Sequence, residues 1–274
     1  MDTSKKISIL MGIYNCAPTL REAIDSIIAQ TYDNWEFIIC DDGSWDESHA
    51  VALEYAEKDP KRFRIIQNEK NLGLNATLNK CLSLADGDYI ARMDGDDISL
   101  PERFEKQVRF LNAHPEYAIV STPMIFFDER GEWGRSKSIE IPQIRDFVYH
   151  APFHCHAPCM IRREAFLKVD GYTEDKRLLR YEDCDLWYKL YSCGYRGYNL
   201  QEPLYMMRDD QNAFSRRTFS SRMRAVYVQW RGFRMIHMPL RYYPRLVISF
   251  LKSIALAIMP KRIYGILHKA RLNH

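Results

Sequence analysis

No apolar run in this chain is long enough to cross a bilayer. The longest, Leu246 to Met259, is interrupted by Lys252 and falls short of the roughly 20 residues a spanning helix needs. Cysteine is present without forming a framework. Cys16, Cys40, Cys81, Cys155, Cys159, Cys184 and Cys193 make an odd set of seven with no small-domain spacing, which excludes a disulfide-stapled secreted scaffold. No signal-peptide pattern precedes Lys5-Lys6-Ile7, so the expectation is a reducing, cytoplasmic setting. Acid is missing from one end. From Gln211 onward there are thirteen Lys/Arg and no Asp or Glu, so residues 1–210 carry twenty-six basic and thirty-six acidic side chains. The net charge of +3 therefore hides an acidic body and a basic tail.

What is present is an ordinary globular composition. With 274 residues, 46% hydrophobic and 27% charged, the chain can bury a substantial core as one large domain with appendages. Strand and helix patterns alternate along it. Ile7 to Met11 reads as a buried strand, and Thr19-Leu20-Arg21-Glu22 after Pro18 reads as a capping box opening a helix whose Leu20, Ala23, Ile24, Ile27 and Ile28 share one face. Trp35 to Cys40 is a second strand, Asp46 to Glu57 a helix, and Phe63 to Gln67 a third strand. Leu74, Leu78, Leu82 and Ala85 line another helix, Asp86-Gly87 turns the chain, and Tyr89 to Met93 is the next strand. This rhythm implies a mostly parallel sheet sandwiched by helices, with ligands bound beyond the carboxyl ends of its strands.

Three polar clusters fall at those ends. Gly12-Ile13-Tyr14-Asn15 follows the first strand, Asp41-Asp42 the second, and Asp94-Gly95-Asp96-Asp97 the later one. Carboxylates spaced around a glycine repel one another unless a cation sits among them, and hard oxygen ligands suit Mg²⁺ or Mn²⁺. Taken alone, such a run is more often a turn that caps the next helix. In combination, Tyr14 offers a ring to a base, Asp42 an acceptor to a base or ribose donor, and Asp96 a metal to bridge phosphates. The ligand outlined is a nucleoside diphosphate.

These pieces, with Asn71-Leu72-Gly73, Ala85-Asp86-Gly87-Asp88-Tyr89 and Tyr181-Glu182-Asp183-Cys184-Asp185-Leu186-Trp187, resemble the family 2 glycosyltransferases in order and spacing from Ile7 to Arg208. The resemblance implies the α/β GT-A fold: residues 1–210 as the catalytic domain, 1–97 its nucleotide-binding half, 98–210 its acceptor-binding half, and 211–274 a basic, amphipathic helical extension. It implies that Gly12, Tyr14, Asn15, Asp42, Asn71 and Asp94 bind the nucleotide of a nucleotide-sugar donor, and that Asp96 holds Mg²⁺ or Mn²⁺. Asp183 becomes the base that deprotonates an acceptor hydroxyl during an inverting displacement, with Glu182, Asp97, His156 and Arg208 supporting or contacting the acceptor. A uridine diphosphate sugar is the favoured donor, although Gly12 stands where some relatives carry a hydroxyl that reads uracil. Asp210 stands where many members carry a His two positions after an arginine like Arg208. The chain lacks the Gln-X-X-Arg-Trp segment and membrane spans of processive synthases, Gln229-Trp230-Arg231 being an echo only, which implies one sugar per encounter.

Two segments remain. Phe153-His154-Cys155-His156-Ala157-Pro158-Cys159 has zinc-ligand types but no second ligand cluster, and a lining role for His156 fits better. Leu246 to Met259, flanked by Arg241, Arg245, Lys261 and Arg262, is expected either to lie in the headgroup zone of an anionic membrane or to pack on the catalytic domain or a second copy. The first alternative places the chain peripherally on the cytoplasmic face of the inner membrane, beside a lipid-pyrophosphate-linked saccharide acceptor, as in many transferases that build bacterial surface polysaccharide. No motif supports a nucleic-acid partner. Rival functions are a metal-dependent phosphatase of the haloacid dehalogenase type, which needs its Asp-X-Asp on the first strand, and a non-catalytic nucleotide-sugar-binding protein, against which Asp183 argues. A sugar nucleotidyltransferase would need a Gly-rich, Arg/Lys-bearing loop at Gly12 to Ala17.

Overall fold

The computed structural model describes residues 4–148, 154–209 and 218–258. A continuous apolar run at the start of the chain forms β1 (Ile7–Ile13), and α1 (Ala17–Ile28), β2 (Trp35–Asp41), α2 (Ser48–Lys58), β3 (Phe63–Gln67), α3 (Leu74–Leu82) and β4 (Tyr89–Arg92) follow in alternation. β1 pairs in parallel with both β2 and β4, and β2 with β3. Apolar runs buried almost throughout, as in Ile7–Ile13 and Trp35–Asp41, are what a parallel sheet covered by helices requires. Ile7, Ile9, Met11 and Ile13 pack into one apolar cluster with α1, while Leu10 faces the other, with α3.

The capping box expected at Thr19 does not form. α1 begins two residues earlier with Cys16 at its cap and Pro18 in its first turn, a position where the missing N–H costs nothing. Thr19 Oγ1 instead donates to Gly95 O (2.9 Å), and Glu22 pairs with Arg208. Leu20, Ala23, Ile24 and Ile27 are buried as the spacing predicts, but Ile28 is 41% exposed.

Beyond β4 come β5 (Ile98–Ser99), α4 (Arg103–Ala113), β6 (Ile119–Ser121), β7 (Met124–Asp128), β8 (Gly131–Arg135), β9 (Met160–Arg162), α5 (Arg163–Lys168), α6 (Glu182–Ser192), β10 (Gly197–Asn199) and β11 (Tyr205–Arg208). The main sheet runs β10-β6-β9-β4-β1-β2-β3, and β9 lies antiparallel to both its neighbours. A second sheet runs β5-β11-β7-β8. Its β5 starts directly after the acidic turn and pairs with β11, which brings Arg208 against that turn.

Glu182 and Asp183 open α6 without capping it. Tyr181 occupies the cap and both acids sit in the first helical turn, where a negative charge is favoured by the unsatisfied N–H groups. α7 (Phe219–Met235) and α8 (Pro244–Ile258) complete the described chain. α7 packs on α6: a Cβ at Gly232 would stand 2.2 Å from the Tyr188 ring, Arg231 Nε pairs with Asp185 at 3.1 Å, and Phe233 is fully buried. Leu246 of α8 joins the main apolar cluster. The described part of the tail thus packs on the α/β body, one of the two alternatives above. Among the described residues no helix is long and apolar enough to cross a membrane.

Candidate active site

Each strand end carries a differently built piece of the site. After β1, Tyr14 is 47% exposed and Asn15 adopts a left-handed φ of 51°, which an Asn side chain tolerates. Asn15 N donates to Ser44 Oγ (3.0 Å) and its Oδ1 accepts from Trp45 N (3.0 Å), so this side chain stitches two loops together. Gly12 does similar structural work: a Cβ there would meet Thr77 Cγ2 at 3.1 Å and Leu74 Cδ1 at 3.3 Å, so its bareness lets α3 lie close on β1.

After β2, Asp42 is 4% exposed. Its carboxylate accepts from Leu72 N (2.8 Å), Gly73 N (2.9 Å) and Asn68 Nδ2 (2.9 Å). It therefore anchors the loop that carries Asn71. Gly43, at φ 74°, permits the crossing, since a Cβ there would stand 2.9 Å from the Lys70 carbonyl carbon.

The acidic turn after β4 is held from three sides. Arg92 Nη2 donates to Asp94 Oδ1 at 2.6 Å. Arg208 donates through its backbone N to Asp97 Oδ1 (2.8 Å) and through Nε to Asp96 O (3.0 Å), while its guanidinium lies over the Phe127 ring at 4.5 Å. Burial, then the Asp94 and Asp96 charges, push the Asp97 carboxyl up to about 8. Burial and the Asp94 charge raise Asp96 as well. Burial and mutual repulsion thus disfavour three full negative charges in this turn. Among the described residues no three His, Cys, Asp or Glu side chains form a ready cage for a metal. A donor set of one or two carboxylates fits Mg²⁺ or Mn²⁺, whose remaining positions go to water and substrate phosphate oxygens.

Asp183 stands across from this turn. It retains partial exposure, its Oδ1 lies 2.7 Å from Cys184 N, and burial raises its carboxyl above the ordinary range against the lowering pull of that N–H and of Arg92. Burial and the Asp183 charge raise Glu182 in the same direction. Asp96, Asp183 and Arg208 line one cavity of about 900 Å³, walled on its far side by α7 and α8. That cavity has the size of a small-molecule site.

The His/Cys segment resolves as packing. His154 is fully buried, with Nδ1 at 2.7 Å from Asn199 Oδ1 and Nε2 at 3.1 Å from Tyr191 OH. His156 Nε2 meets Tyr172 OH at 2.8 Å, and burial and the Arg92 charge keep its imidazole neutral by lowering its pKa. Phe153, Asp210, Arg216, Arg217, Met259, Lys261 and Arg262 lie outside the described residues.

Of the residues singled out in the sequence, Asp96, Asp183 and Arg208 line this cavity, whereas Gly12, Tyr14, Asn15, Asp42, Asn71, Asp94, Asp97, His156 and Glu182 do not. Sequence reasoning missed Arg92, which is 7% exposed and sits between the acidic turn and Asp183. Its signal was a lone cation at the end of the apolar run Tyr89-Ile90-Ala91. It also missed the contribution of α7 and α8 to the cavity wall, which no local pattern announces.

Comparison with known proteins gives a family model, Glycosyl transferase family 2, matching residues 8–170. The putative glycosyltransferase EpsE of Bacillus subtilis is 43% identical over 99% of this chain and 96% of its own length. The amylovoran biosynthesis glycosyltransferase AmsE of Erwinia amylovora is 33% identical over 77% of this chain and 79% of its own. Among solved structures, S. aureus TarS residues 1–349 in complex with UDP-GlcNAc matches with a TM-score of 0.67 at 16% identity, over 94% of this chain and 82% of that one. The mannosyltransferase PcManGT from Pyrobaculum calidifontis, in complex with GDP-Man and Mn²⁺, matches with a TM-score of 0.65 at 17% identity, over 98% and 81%.

Proposed function

This chain belongs to glycosyl transferase family 2, and we propose that it moves one sugar per encounter, with inversion, from a nucleotide diphosphate sugar to a hydroxyl of a lipid-linked saccharide in polysaccharide synthesis. A uridine diphosphate sugar is the preferred donor. The observation that carries this reading is the shared cavity: Asp96, suited to a cation that binds a diphosphate, and Asp183, suited to a base, face one space of about 900 Å³. The likeness to AmsE, an amylovoran biosynthesis glycosyltransferase, supports the pathway, and the nucleotide sugars bound by TarS and PcManGT support the donor class.

In this mechanism Tyr14 stacks on the base, and Asp42 fixes the Asn71 loop beside it. Arg92 holds Asp94 in place, and Arg208 holds the Asp96 carbonyl and the Asp97 carboxylate. Asp94 and Asp96 would hold Mg²⁺ or Mn²⁺, which when bound offsets the charge growing on the leaving diphosphate. Asp183 takes the proton of the acceptor hydroxyl as that oxygen attacks the anomeric carbon. Its raised pKa makes it a stronger base than a solvated carboxylate. Calorimetric titration with uridine diphosphate, with and without Mn²⁺, tests the donor half. Metal-dependent binding that disappears in Asp96→Ala is the expected result; equal binding by the variant would remove Asp96 from the donor site.

The exposed face of α8 supports attachment to a membrane surface. Val247 is 58% exposed, Leu251 57%, Ile248 42% and Phe250 40%, with Arg241, Arg245 and Lys252 on or beside the same helix.

A further inference from the structure

Arg180 combines three properties found in no other arginine described here: it is a non-glycine residue with φ of 70°, its guanidinium has no hydrogen bond or ion pair among the described residues, and it lines the Asp183 cavity. A left-handed backbone at an arginine is strained, and such strain concentrates where a ligand is held. Arg222, one turn into α7, lines the same cavity. The donor diphosphate already has its place at the acidic turn. In an inverting displacement the acceptor enters opposite the leaving diphosphate, so cations on the Asp183 side face the acceptor.

We infer that Arg180 and Arg222 form an anion subsite for the diphosphate of the acceptor, so that the acceptor is a short saccharide still close to its lipid diphosphate. This rests on the reading of Asp183 as the base. Two residues, Tyr181 and Glu182, separate Arg180 from Asp183, so their Cα atoms lie at most about 11 Å apart. An anion held there stands near the attacked hydroxyl, with room for a short saccharide between them. A long glycan would carry its diphosphate far outside the cavity. Gln229 of α7 and Ser249 and Ser253 of α8 line the same cavity and offer an amide and hydroxyls to that saccharide, although Gln229 Nε2 also donates to Val148 O at 3.4 Å and Ser253 Oγ to Ser249 O at 2.8 Å. Guanidinium forks suit phosphate oxygens in both geometry and charge.

Farnesyl diphosphate is the probe, titrated into the full chain with Mn²⁺, both without and with saturating uridine diphosphate. Binding that survives saturation, and that weakens about tenfold or more in Arg180→Gln and in Arg222→Gln while uridine diphosphate affinity stays within about twofold, is the expected result. Displacement of the probe by uridine diphosphate, absence of binding, or equal affinity in both variants would overturn the subsite. If uridine diphosphate fails to bind while the probe still depends on Arg180 and Arg222, the subsite stands and the donor reading falls. Inorganic pyrophosphate in a parallel titration identifies the source: tighter binding of the prenyl compound assigns the site to a lipid diphosphate, and equal binding assigns it to the anion alone.

Discussion

Asp183 shows at the scale of one residue how function and stability pull apart. Burial raises its carboxyl, so the folded chain holds the proton to a higher pH than the unfolded chain does. Between the ordinary carboxylate value and the raised one the native state binds more protons, and stability falls as pH rises through that window. Asp183→Asn removes this penalty. The variant should melt higher than the parent at neutral pH and equally at a pH below the window, while transfer falls by about 10²–10⁴-fold, the usual worth of a general base. Thermal melts at two pH values and a radiolabelled transfer assay check both halves; an unchanged rate would exclude Asp183 as the base. In the parent, activity should fall on acidification at a pH above the usual carboxylate range, because the base must be ionised. Arg92 acts on the other carboxylate. Its side chain is 9% exposed and that of Asp94 28%, so Arg92→Met should cost about 2 kcal/mol, less than the 3–5 kcal/mol of a fully buried pair. Arg92→Lys, which keeps the charge without the fork, should recover part of that loss in a denaturant titration.

At the scale of elements, Gly232 decides whether α7 can sit on α6. A methyl group there would stand 2.2 Å from the Tyr188 ring, and that ring is itself buried at 2% exposure, so it has little room to yield. Gly232→Ala gains up to about 1 kcal/mol of helix propensity, yet overpacking typically costs 1–3 kcal/mol and this contact is near its upper end. The expected net result is a lower melting temperature together with a raised acceptor KM, since α7 walls the cavity; a more stable variant would show that the helices shift freely. The sequence pattern carried some elements well and others not at all. Phe63–Gln67 has the limits read from the sequence, and the strand read as Trp35 to Cys40 runs one residue farther, to Asp41, buried throughout, because burial on both faces leaves a continuous signal. The sheet of β5, β11, β7 and β8 left none: its strands span two to five residues, and Gly131–Arg135 reads Gly-Glu-Trp-Gly-Arg. The cap at Thr19 was misread because local preference for a Thr-x-x-Glu box lost to the tertiary partners Gly95 and Arg208. Asp96 and Asp183 were legible as chemistry, but their meeting depends on β5 pairing with β11 and on α7 covering the gap, neither of which is encoded locally.

The whole chain joins an acidic body to a basic tail, and the position of α8 bears on how it meets its acceptor. Leu246 anchors α8 in the main core while Val247, Ile248, Phe250 and Leu251 remain largely open to solvent, so one helix contributes to the cavity wall and to an outward apolar face at once. Removing the helix would therefore unseat the fold along with the face, and surface changes are the cleaner test. Val247→Glu combined with Leu251→Glu touches two side chains that are 58% and 57% exposed and should alter stability by no more than about 0.5 kcal/mol. The parent should float with vesicles containing anionic lipid at low salt and be released as salt rises, because each basic residue near such a surface contributes about 1 kcal/mol that ions screen. The double variant should stay with the unbound fraction while binding uridine diphosphate as the parent does. Flotation by the variant equal to the parent's would assign the exposed face of α8 to something other than lipid, and an acceptor with a lipid diphosphate would then have to leave its membrane to reach Asp183.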